Sequence, residues 1–191
     1  MTHKFDPINM SKLDNAWRRE NLPAVQTLEQ LGLSSTDIVA DIGCGIGYFS
    51  MAAAEILKKQ NKVFALDTSD EMLDEVEKRA KVADATNIIT VKNEEYNLKL
   101  PNELVTFAIL VNVLHEVDDK QGFVIEIKRI LKQQGKLAII EWEKKSMEMG
   151  PPESHRVDKD EVIEIVESCG FELNNTMEFA EMFYGVVFVK N

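Results

Sequence analysis

Short apolar runs alternate along this chain with segments whose apolar residues have helical spacing, and this alternation constrains the fold more than any other feature. Five runs are short and apolar enough to be buried strands, at residues 38–42, 63–66, 88–91, 105–113 and 137–140. Strands that are apolar on both faces must be covered on both faces, and helical crossovers join parallel strands. The sequence therefore predicts a parallel sheet between two layers of helices.

Helices are predicted around the first two strands. Residues 24–31 have apolar side chains at helical spacing, and a second helix is predicted from about Tyr48 to Lys59. The sequence Thr68-Ser69-Asp70-Glu71 has the T-x-x-E form of a capping box, so we expect Thr68 to cap the helix that follows the second strand. This order of elements is a βαβ unit.

The C-terminal region breaks the alternation. Two strand-like runs, 171–177 and 183–189, follow a helix that ends at Gly170. A parallel connection needs about a dozen residues or more, so the short gap between these runs predicts an antiparallel pair. Residues 144–157 contain Gly150-Pro151-Pro152 and are predicted to form a surface loop or lid.

Length and charge limit the class of protein further. A chain of 191 residues suits a single domain, and 22 Lys and Arg against 33 Asp and Glu disfavour nucleic acid and anionic membranes as partners. No apolar stretch reaches the about 20 residues that span a bilayer, so we expect a cytoplasmic protein without membrane insertion. The two cysteines and three histidines are scattered, which predicts neither a disulfide nor a structural metal.

A glycine-rich turn, Asp41-Ile42-Gly43-Cys44-Gly45-Ile46-Gly47, separates the first strand from its helix. Glycines permit a tight turn, and free N–H groups at a helix start can hold an anion. Asp67 ends the second strand, where a carboxylate can accept both hydroxyls of a ribose. Together these residues predict an adenosine-containing ligand at the strand ends, although the third glycine comes one residue earlier than in a dinucleotide fingerprint.

The D-x-G-x-G-x-G spacing resembles the first motif of the class I S-adenosylmethionine-dependent methyltransferases. The resemblance extends to Asp67 with Ser69, to Glu94 after the third strand, to the segment 110–117 and to Gly135 before the fifth strand, so it covers nearly the whole chain. Within that class, the chain looks most like the branch that contains the ubiquinone and menaquinone biosynthesis C-methyltransferases.

The resemblance implies a single α/β domain of the Rossmann-like, doubly wound type. Its seven-stranded sheet would have the order 3-2-1-4-5-7-6 with strand 7 antiparallel, in agreement with the antiparallel pair expected above. The chain would then divide into an N-terminal helical cap (1–36), a cofactor-binding core (37–143), the loop or lid (144–157) and a C-terminal helix with the strand pair (158–191).

The resemblance also implies S-adenosyl-L-methionine as cofactor and S-adenosylhomocysteine as product. Asp41 and the turn would hold the amino-acid end, and Asp67 would hold the ribose hydroxyls. Glu94, with the Asn93 and Glu95 backbone, would lie beside the adenine, and the carbonyl of Asn112 would face the ammonium. The cofactor contacts implied in full are Asp41, Gly43, Cys44, Gly45, Gly47, Asp67, Thr68, Met72, Asn93, Glu94, Glu95 and Asn112.

The acceptor side is less defined in the sequence. His115 follows the fourth strand, and two interpretations stay open: a general base or orienting group, and a loop histidine paired with Glu116. The candidate acceptor contacts are Phe5, Trp17, Arg18, Trp142, His155, Arg156 and Tyr184. Aromatic rings would suit a planar or lipophilic acceptor, and an arginine would suit a carboxylate on it, whereas each of these residues has an alternative role in packing or on a solvated surface.

The resulting hypothesis is methyl transfer to a small molecule by in-line displacement, for which alignment alone can supply much of the rate. Two other classes stay open: an S-adenosylmethionine-binding module without turnover, and an NAD-dependent oxidoreductase that uses the same crevice. The acceptor, its target atom and the oligomeric state are not legible in the sequence.

Overall fold

A computed structural model describes residue 10 and residues 12–191, and in that part of the chain seven strands form one sheet. The strands are β1 (Val39–Ile42), β2 (Val63–Asp67), β3 (Ile88–Lys92), β4 (Val105–Val111), β5 (Leu131–Trp142), β6 (Phe171–Phe179) and β7 (Phe183–Lys190). Their order is β3-β2-β1-β4-β5-β7-β6, and β7 runs antiparallel to both β5 and β6 while the other pairs are parallel. The predicted fold, strand order and antiparallel strand are confirmed.

Helices cover both faces of this sheet. They are α1 (Ala16–Asn21), α2 (Ala24–Gln30), α3 (Tyr48–Ile56), α4 (Asp70–Val82), α5 (Lys120–Ile130) and α6 (Lys159–Ser168). Val124 of α5 and Val162 of α6 are fully buried in the apolar core on one face, and Leu28 of α2 and Phe49 of α3 belong to the core on the other. No helix in the described ranges combines the length and apolar composition that crossing a bilayer would require.

Three predicted boundaries were wrong. Helix α3 ends at Ile56 because the chain soon enters left-handed backbone at Lys58 (φ 47°) and Lys59 (φ 63°). Strand β4 ends at Val111 because Asn112 is also left-handed, at φ 58°. Asparagine tolerates this conformation better than other non-glycine residues, so the strand turns sharply there. Strand β5 starts at Leu131, six residues before the apolar run that predicted it.

The capping residue of α4 also differs from the prediction. Ser69, one residue after Thr68, is the N-cap, and its Oγ accepts from the N–H of Met72 at 3.4 Å. The same hydroxyl donates to Glu71 at 2.6 Å. The T-x-x-E pattern therefore locates the helix start correctly to within one residue, and Thr68 is left outside the helix.

Candidate functional site

A cavity of about 1350 Å³ opens at the carboxyl ends of β1 to β5. This volume exceeds the about 300–1,000 Å³ that usually holds one drug-sized ligand, so the cavity has room for two. Ten of the twelve predicted cofactor residues line it: Asp41, Gly43, Cys44, Gly45, Asp67, Thr68, Met72, Asn93, Glu95 and Asn112. The crevice at the strand ends is where open α/β sheets bind ligands.

The glycine-rich turn is tied to the neighbouring strand by its backbone. The N–H groups of Gly43 and Cys44 both donate to the carbonyl of Leu66 at 2.9 Å. Gly43 has φ 70°, and a Cβ at this position would lie 2.5 Å from Cγ2 of Val113. No side chain fits there, so glycine lets the turn approach the end of β4 and leaves its backbone facing the cavity.

Asp41 lies beneath this turn and is 3% exposed. Its Oδ2 accepts from the hydroxyl of Ser50 at 2.5 Å, which links the end of β1 to the first turn of α3. Burial raises the pKa of Asp41 to about 6, against the lowering effect of the Ser50 hydrogen bond. Sequence reasoning did not single out Ser50, because serine is common at the start of helices.

Asp67 is held by backbone donors at the end of β2. Its Oδ2 accepts from Gly45 and its Oδ1 from Ser69, each at 2.9 Å. Burial raises the pKa of Asp67, whereas these N–H donors lower it. A carboxylate has about four lone-pair sites, so Asp67 can still accept a hydrogen bond from the cavity side in a fixed orientation.

Of the buried amide oxygens without a hydrogen-bond partner in the described part of the chain, two belong to the cavity, Oδ1 of Asn93 and Oδ1 of Asn112. Both residues line the cavity, one after β3 and one after β4. The N–H of Asn112 donates to Ile140 at 2.8 Å, which fixes the left-handed turn against β5. A buried unpaired acceptor costs about 1–3 kcal/mol, so these two oxygens favour a ligand that brings N–H donors.

Arg18 of α1 is the third cavity residue with a buried polar atom that lacks a hydrogen-bond partner among the described residues. The side chain lines the cavity, the residue is 9% exposed, and Nε is buried with no hydrogen-bond partner among the described residues. Its guanidinium lies 5.6 Å from the ring of Tyr48 and 5.9 Å from that of Phe49, the first two residues of α3. Burial lowers the pKa of Arg18, so the site disfavours the charge that the side chain carries.

Aromatic rings form the other end of the cavity. The rings of Trp17 and Trp142 are stacked, with centroids 6.1 Å apart and an interplanar angle of 12°, and both residues line the cavity. Phe183 packs against Trp142 at 4.2 Å. These rings give this end a planar apolar wall, in contrast to the polar end at Asp41 and Asp67.

His115 follows β4, which lies in the sheet between β1 with Asp41 and β5 with Trp142, and it belongs to a 3-10 turn formed by Leu114–Glu116. Its Nδ1 lies 2.8 Å from Oε2 of Glu141, and its Nε2 lies 3.9 Å from Oε1 of Glu116. Burial lowers the pKa of His115, but the hydrogen bond and charge of Glu141, together with Glu116, outweigh it and raise the pKa above 6.5. Glu141, and not Glu116, is therefore the main partner of this histidine.

The sequence matches a family model described as a methyltransferase domain over residues 40–139, which is just over half of the chain. The chain belongs to this methyltransferase family. The match begins one residue before Asp41 and ends in β5, so it contains the glycine-rich turn, Asp67 and His115.

Individual relatives agree with this assignment. The methyltransferase is similar to demethylmenaquinone methyltransferases of Listeria monocytogenes (28% identity over 130 residues, 68% of this chain and 52% of the relative). It is also similar to that of Shouchella clausii (25% over 141 residues, 72% of this chain and 57% of the relative). The chain spans about half the length of the curated relatives it matches.

Among solved structures, a SAM-dependent methyltransferase from Aquifex aeolicus superposes with a TM-score of 0.94 at 29% identity, over 98% of this chain and all of that one. An S-adenosylmethionine-dependent methyltransferase from Mesorhizobium loti, at 19% identity and a TM-score of 0.72 over 87% and 98% of the two chains, shares the fold. The predicted class, an S-adenosylmethionine-dependent methyltransferase, is confirmed, the relatives from menaquinone biosynthesis are proteins that this chain is similar to, and S-adenosylmethionine is the implied cofactor.

The methyltransferase differs from the sequence predictions at two cofactor positions. Gly47 does not line the cavity; it has φ 77°, and a Cβ there would lie 3.0 Å from Val76, so glycine lets α3 start against α4. Glu94 does not line the cavity either, because its backbone N–H and carbonyl both pair with Asn97 in a tight turn. Its side chain is 71% exposed and forms an ion pair with Lys99 at 2.8 Å.

Two acceptor predictions are also corrected. Tyr184 is fully buried, does not line the cavity and donates its hydroxyl to Val157 at 2.8 Å, so it is a core residue. Arg156 lines the cavity, but its guanidinium donates to the carbonyls of Glu143, Lys145, Met149 and Pro151 at 2.7–3.0 Å. These bonds use its donors to hold the loop after β5.

Four of the remaining predicted acceptor contacts do line the cavity. Trp17, Arg18, Trp142 and His155 line the cavity, His155 from the exposed 3-10 turn Glu153–His155. Phe5 lies outside the described residues. Sequence reasoning missed Glu141, for which a signal existed: it is a charged residue between the apolar run Leu137–Ile140 and Trp142, and buried carboxylates are rare unless paired.

Proposed function

We propose that this methyltransferase transfers the methyl group of S-adenosylmethionine to a small, planar acceptor by in-line displacement. The observation that carries the proposal is the division of one cavity into a polar end with unpaired groups and an aromatic end, with His115 between them. When bound, the cofactor supplies a methyl group on a positively charged sulfur, which is a good leaving group.

The nucleoside fits the strand ends of β2 and β3. Asp67, fixed by Gly45 and Ser69, accepts the ribose hydroxyls. Asn93, with its unpaired Oδ1, takes the place predicted for Glu94 and accepts from the exocyclic amine of the adenine. The adenine amine needs a hydrogen-bond acceptor that the protein orients and that has no other partner. The Oδ1 of Asn93 meets this requirement, which supports the assignment.

The amino-acid end of the cofactor matches the charges near α3. Arg18 supplies a buried cation beside the first residues of that helix, and Asp41 supplies a buried carboxylate under the turn. We assign Arg18 to the carboxylate of the cofactor, rather than to the acceptor, because it lies over the helix start that also favours an anion. Asp41 and the Oδ1 of Asn112 then face the ammonium.

The acceptor lies against Trp17 and Trp142. Their stacked rings suit a flat aromatic molecule, and the curated relatives act on a demethylmenaquinone by name, so aromatic hydroxyl compounds are the first acceptors to assay. Arg156 contributes indirectly, since the loop that it holds brings Gly150 against Trp142, where a Cβ would lie 2.8 Å from the ring. This loop restricts water at the aromatic end.

Thermal unfolding with and without ligand tests the cofactor half. S-adenosylhomocysteine at 100 times its Kd should stabilise the protein by about 2.7 kcal/mol, whereas NAD at the same concentration should not. Stabilisation by NAD alone would favour the oxidoreductase hypothesis instead.

Product formation tests the acceptor half. With radiolabelled S-adenosylmethionine and a panel of aromatic hydroxyl compounds, we expect labelled product and S-adenosylhomocysteine in equal amounts. Tight cofactor binding without product from any acceptor, in the panel or in cell extract, would favour a binding module without turnover. A cytoplasmic location and a monomer or homodimer remain predictions.

A further inference from the structure

We propose that Glu141 is a positioning residue that keeps the proton of His115 on Nδ1, so that Nε2 presents its lone pair to the acceptor. The inference rests on the proposed function, because it assigns His115 as the group that receives the acceptor's proton. The inference adds Glu141 to the residues of the site. It also specifies the class of acceptor, one that must lose a proton during the reaction.

Both carboxylate oxygens of Glu141 contact His115. Oε2 of Glu141 lies 2.8 Å from Nδ1 of His115, and Oε1 accepts from the backbone N–H of the same residue at 3.2 Å. Both carboxylate oxygens therefore bind one residue and fix its ring and its backbone together. A carboxylate at Nδ1 selects the tautomer with the proton on that nitrogen and leaves Nε2 unprotonated in the neutral ring.

The fold brings them together from two strands. The left-handed residue Asn112 ends β4, and its N–H bond to Ile140 lays the turn Leu114–Glu116 over the end of β5. Glu141 is the next residue of β5 and is 1% exposed. Burying a carboxylate in an apolar strand is costly unless it is paired and hydrogen-bonded. His115 is the residue that provides the pairing.

The two side chains have different access to the cavity. His115 and Glu116 line it, whereas Glu141 does not. Glu141 therefore cannot contact an acceptor and acts through His115. Since Nδ1 is held by Glu141, Nε2 is the ring nitrogen on the side of Glu116 and the cavity.

The acceptor must carry a proton that it can lose, either on its nucleophilic atom or on a group conjugated with that atom. Phenols and hydroquinones meet this requirement. The nucleophile forms a bond to the methyl carbon, the carbon–sulfur bond breaks and leaves its electron pair on sulfur, and the acceptor's proton passes to Nε2. One positive charge is present before and after the reaction, first on sulfur and then on the imidazolium. Glu141 lies beside the final position of that charge.

The groups around His115 determine how readily it accepts the proton. Glu141 from β5, Glu116 from the same turn and Lys120 from α5 are the charged residues that act on it. Burial and Lys120 lower the pKa of His115, and the two carboxylates raise it by more. Removing the charge of Glu141 should therefore lower the pKa of His115.

Nitrogen-15 NMR of the histidine rings tests the proposal without an acceptor. In the wild-type protein with S-adenosylhomocysteine bound, the His115 spectrum should show the Nδ1–H tautomer above its pKa. In Glu141→Gln, the backbone acceptor is retained, but we expect a mixture of tautomers and a titration midpoint at lower pH. A wild-type spectrum with the proton on Nε2 would overturn the proposal even if the variant did not fold.

Glu116→Gln is the matched control, since it removes a carboxylate near Nε2 and not at Nδ1. It should lower the pKa of His115 while keeping the Nδ1–H tautomer. Equal effects of the two substitutions on the tautomer would contradict the assignment of Glu141.

Kinetics separate this inference from the proposed function. With any acceptor found by the product assay, Glu141→Gln should reduce kcat at least tenfold and move the acidic limb of the pH profile to lower pH, with the Kd for S-adenosylhomocysteine within twofold of wild type. Unchanged kcat and pH profile would refute the role of Glu141 and leave the methyltransferase activity intact. Absence of any product would instead count against the proposed function, and the NMR result would still decide the tautomer.

Discussion

The substitution Asp41→Asn should stabilise the protein at neutral pH and weaken cofactor binding at the same time. Burial raises the pKa of Asp41 from 3.8 to about 6, so the native state binds this proton more tightly than the unfolded chain does. Its contribution to stability is therefore full below pH 3.8 and is lost as the pH rises through about 6. At pH 8 the ionised carboxylate is a cost that an amide does not have.

The magnitude follows from the two pKa values. A difference of about two in pKa corresponds to about 3 kcal/mol between the ends of this pH range. Asparagine keeps an oxygen for the Ser50 hydroxyl but buries new N–H groups, so we expect a net gain of about 1–2 kcal/mol at pH 8. For a chain of this size, that is a rise in Tm of about 2–8 °C.

Urea unfolding of both proteins at pH 8, pH 5 and below pH 4 measures the effect. The ionisation part of the gain falls by about half between pH 8 and pH 5, so the net gain should nearly vanish at pH 5 and become a loss of about 1 kcal/mol near pH 3.8. Ser50→Ala should change the free energy of unfolding in the opposite direction. It removes the hydroxyl that stabilises the carboxylate of Asp41, so it should destabilise the protein most at pH 8. Stability curves for wild type and Asp41→Asn that stay parallel across this range would refute the ionisation argument.

Three further substitutions separate the roles of individual residues. Arg18→Gln should weaken binding of S-adenosylhomocysteine about 10- to 100-fold, since a hydrogen bond to a charged group contributes about 1.5–3 kcal/mol, yet leave 5′-methylthioadenosine, which lacks the carboxylate, unaffected in calorimetry. Arg19→Gln is its control, because Arg19 is 67% exposed and pairs with Asp14. If Arg18→Gln weakened the binding of both ligands equally, Arg18 would not bind the carboxylate of the cofactor. Asp67→Ala should weaken both ligands alike with the circular dichroism spectrum unchanged, and unchanged affinity would exclude it from the ribose site. Arg156→Ala should lower the free energy of unfolding by about 2 kcal/mol or more and raise KM for the acceptor while the Kd of S-adenosylhomocysteine stays constant, and a lower affinity for that ligand would contradict a role confined to the loop.

The fold was predictable because each step depended on local pattern or chain length. Apolar runs located the parallel strands, and the short connection after Phe179 required β6 and β7 to be antiparallel. Both inferences need only the spacing of residues in the sequence, which the final packing does not alter.

Side-chain direction at the site was not predictable in the same way. Glu94 and Asn93 are adjacent, and the choice between them depends on the turn that pairs Glu94 with Asn97. Likewise, Tyr184 pairs with Glu141 and Phe183 with Trp142 across β5 and β7, so one pair faces the core beside α6 and the other faces the core beside α3. A shift of one residue in this register would exchange the two faces, and the sequence does not fix that register.

The shifted pKa values at the polar end of the cavity support the proposed position of the cofactor's amino-acid end. Burial raises the pKa of Asp41 and lowers that of Arg18, so each group is moved away from its charged form by the same cause. The two are close enough to act on each other, but each lowers the cost of the other only slightly compared with burial. A ligand with one ammonium and one carboxylate restores a partner to both. Under the proposed function, the binding free energy of such a ligand would come in part from charges that the fold buries at a cost, which is the expected relation between stability and function at a preorganised site.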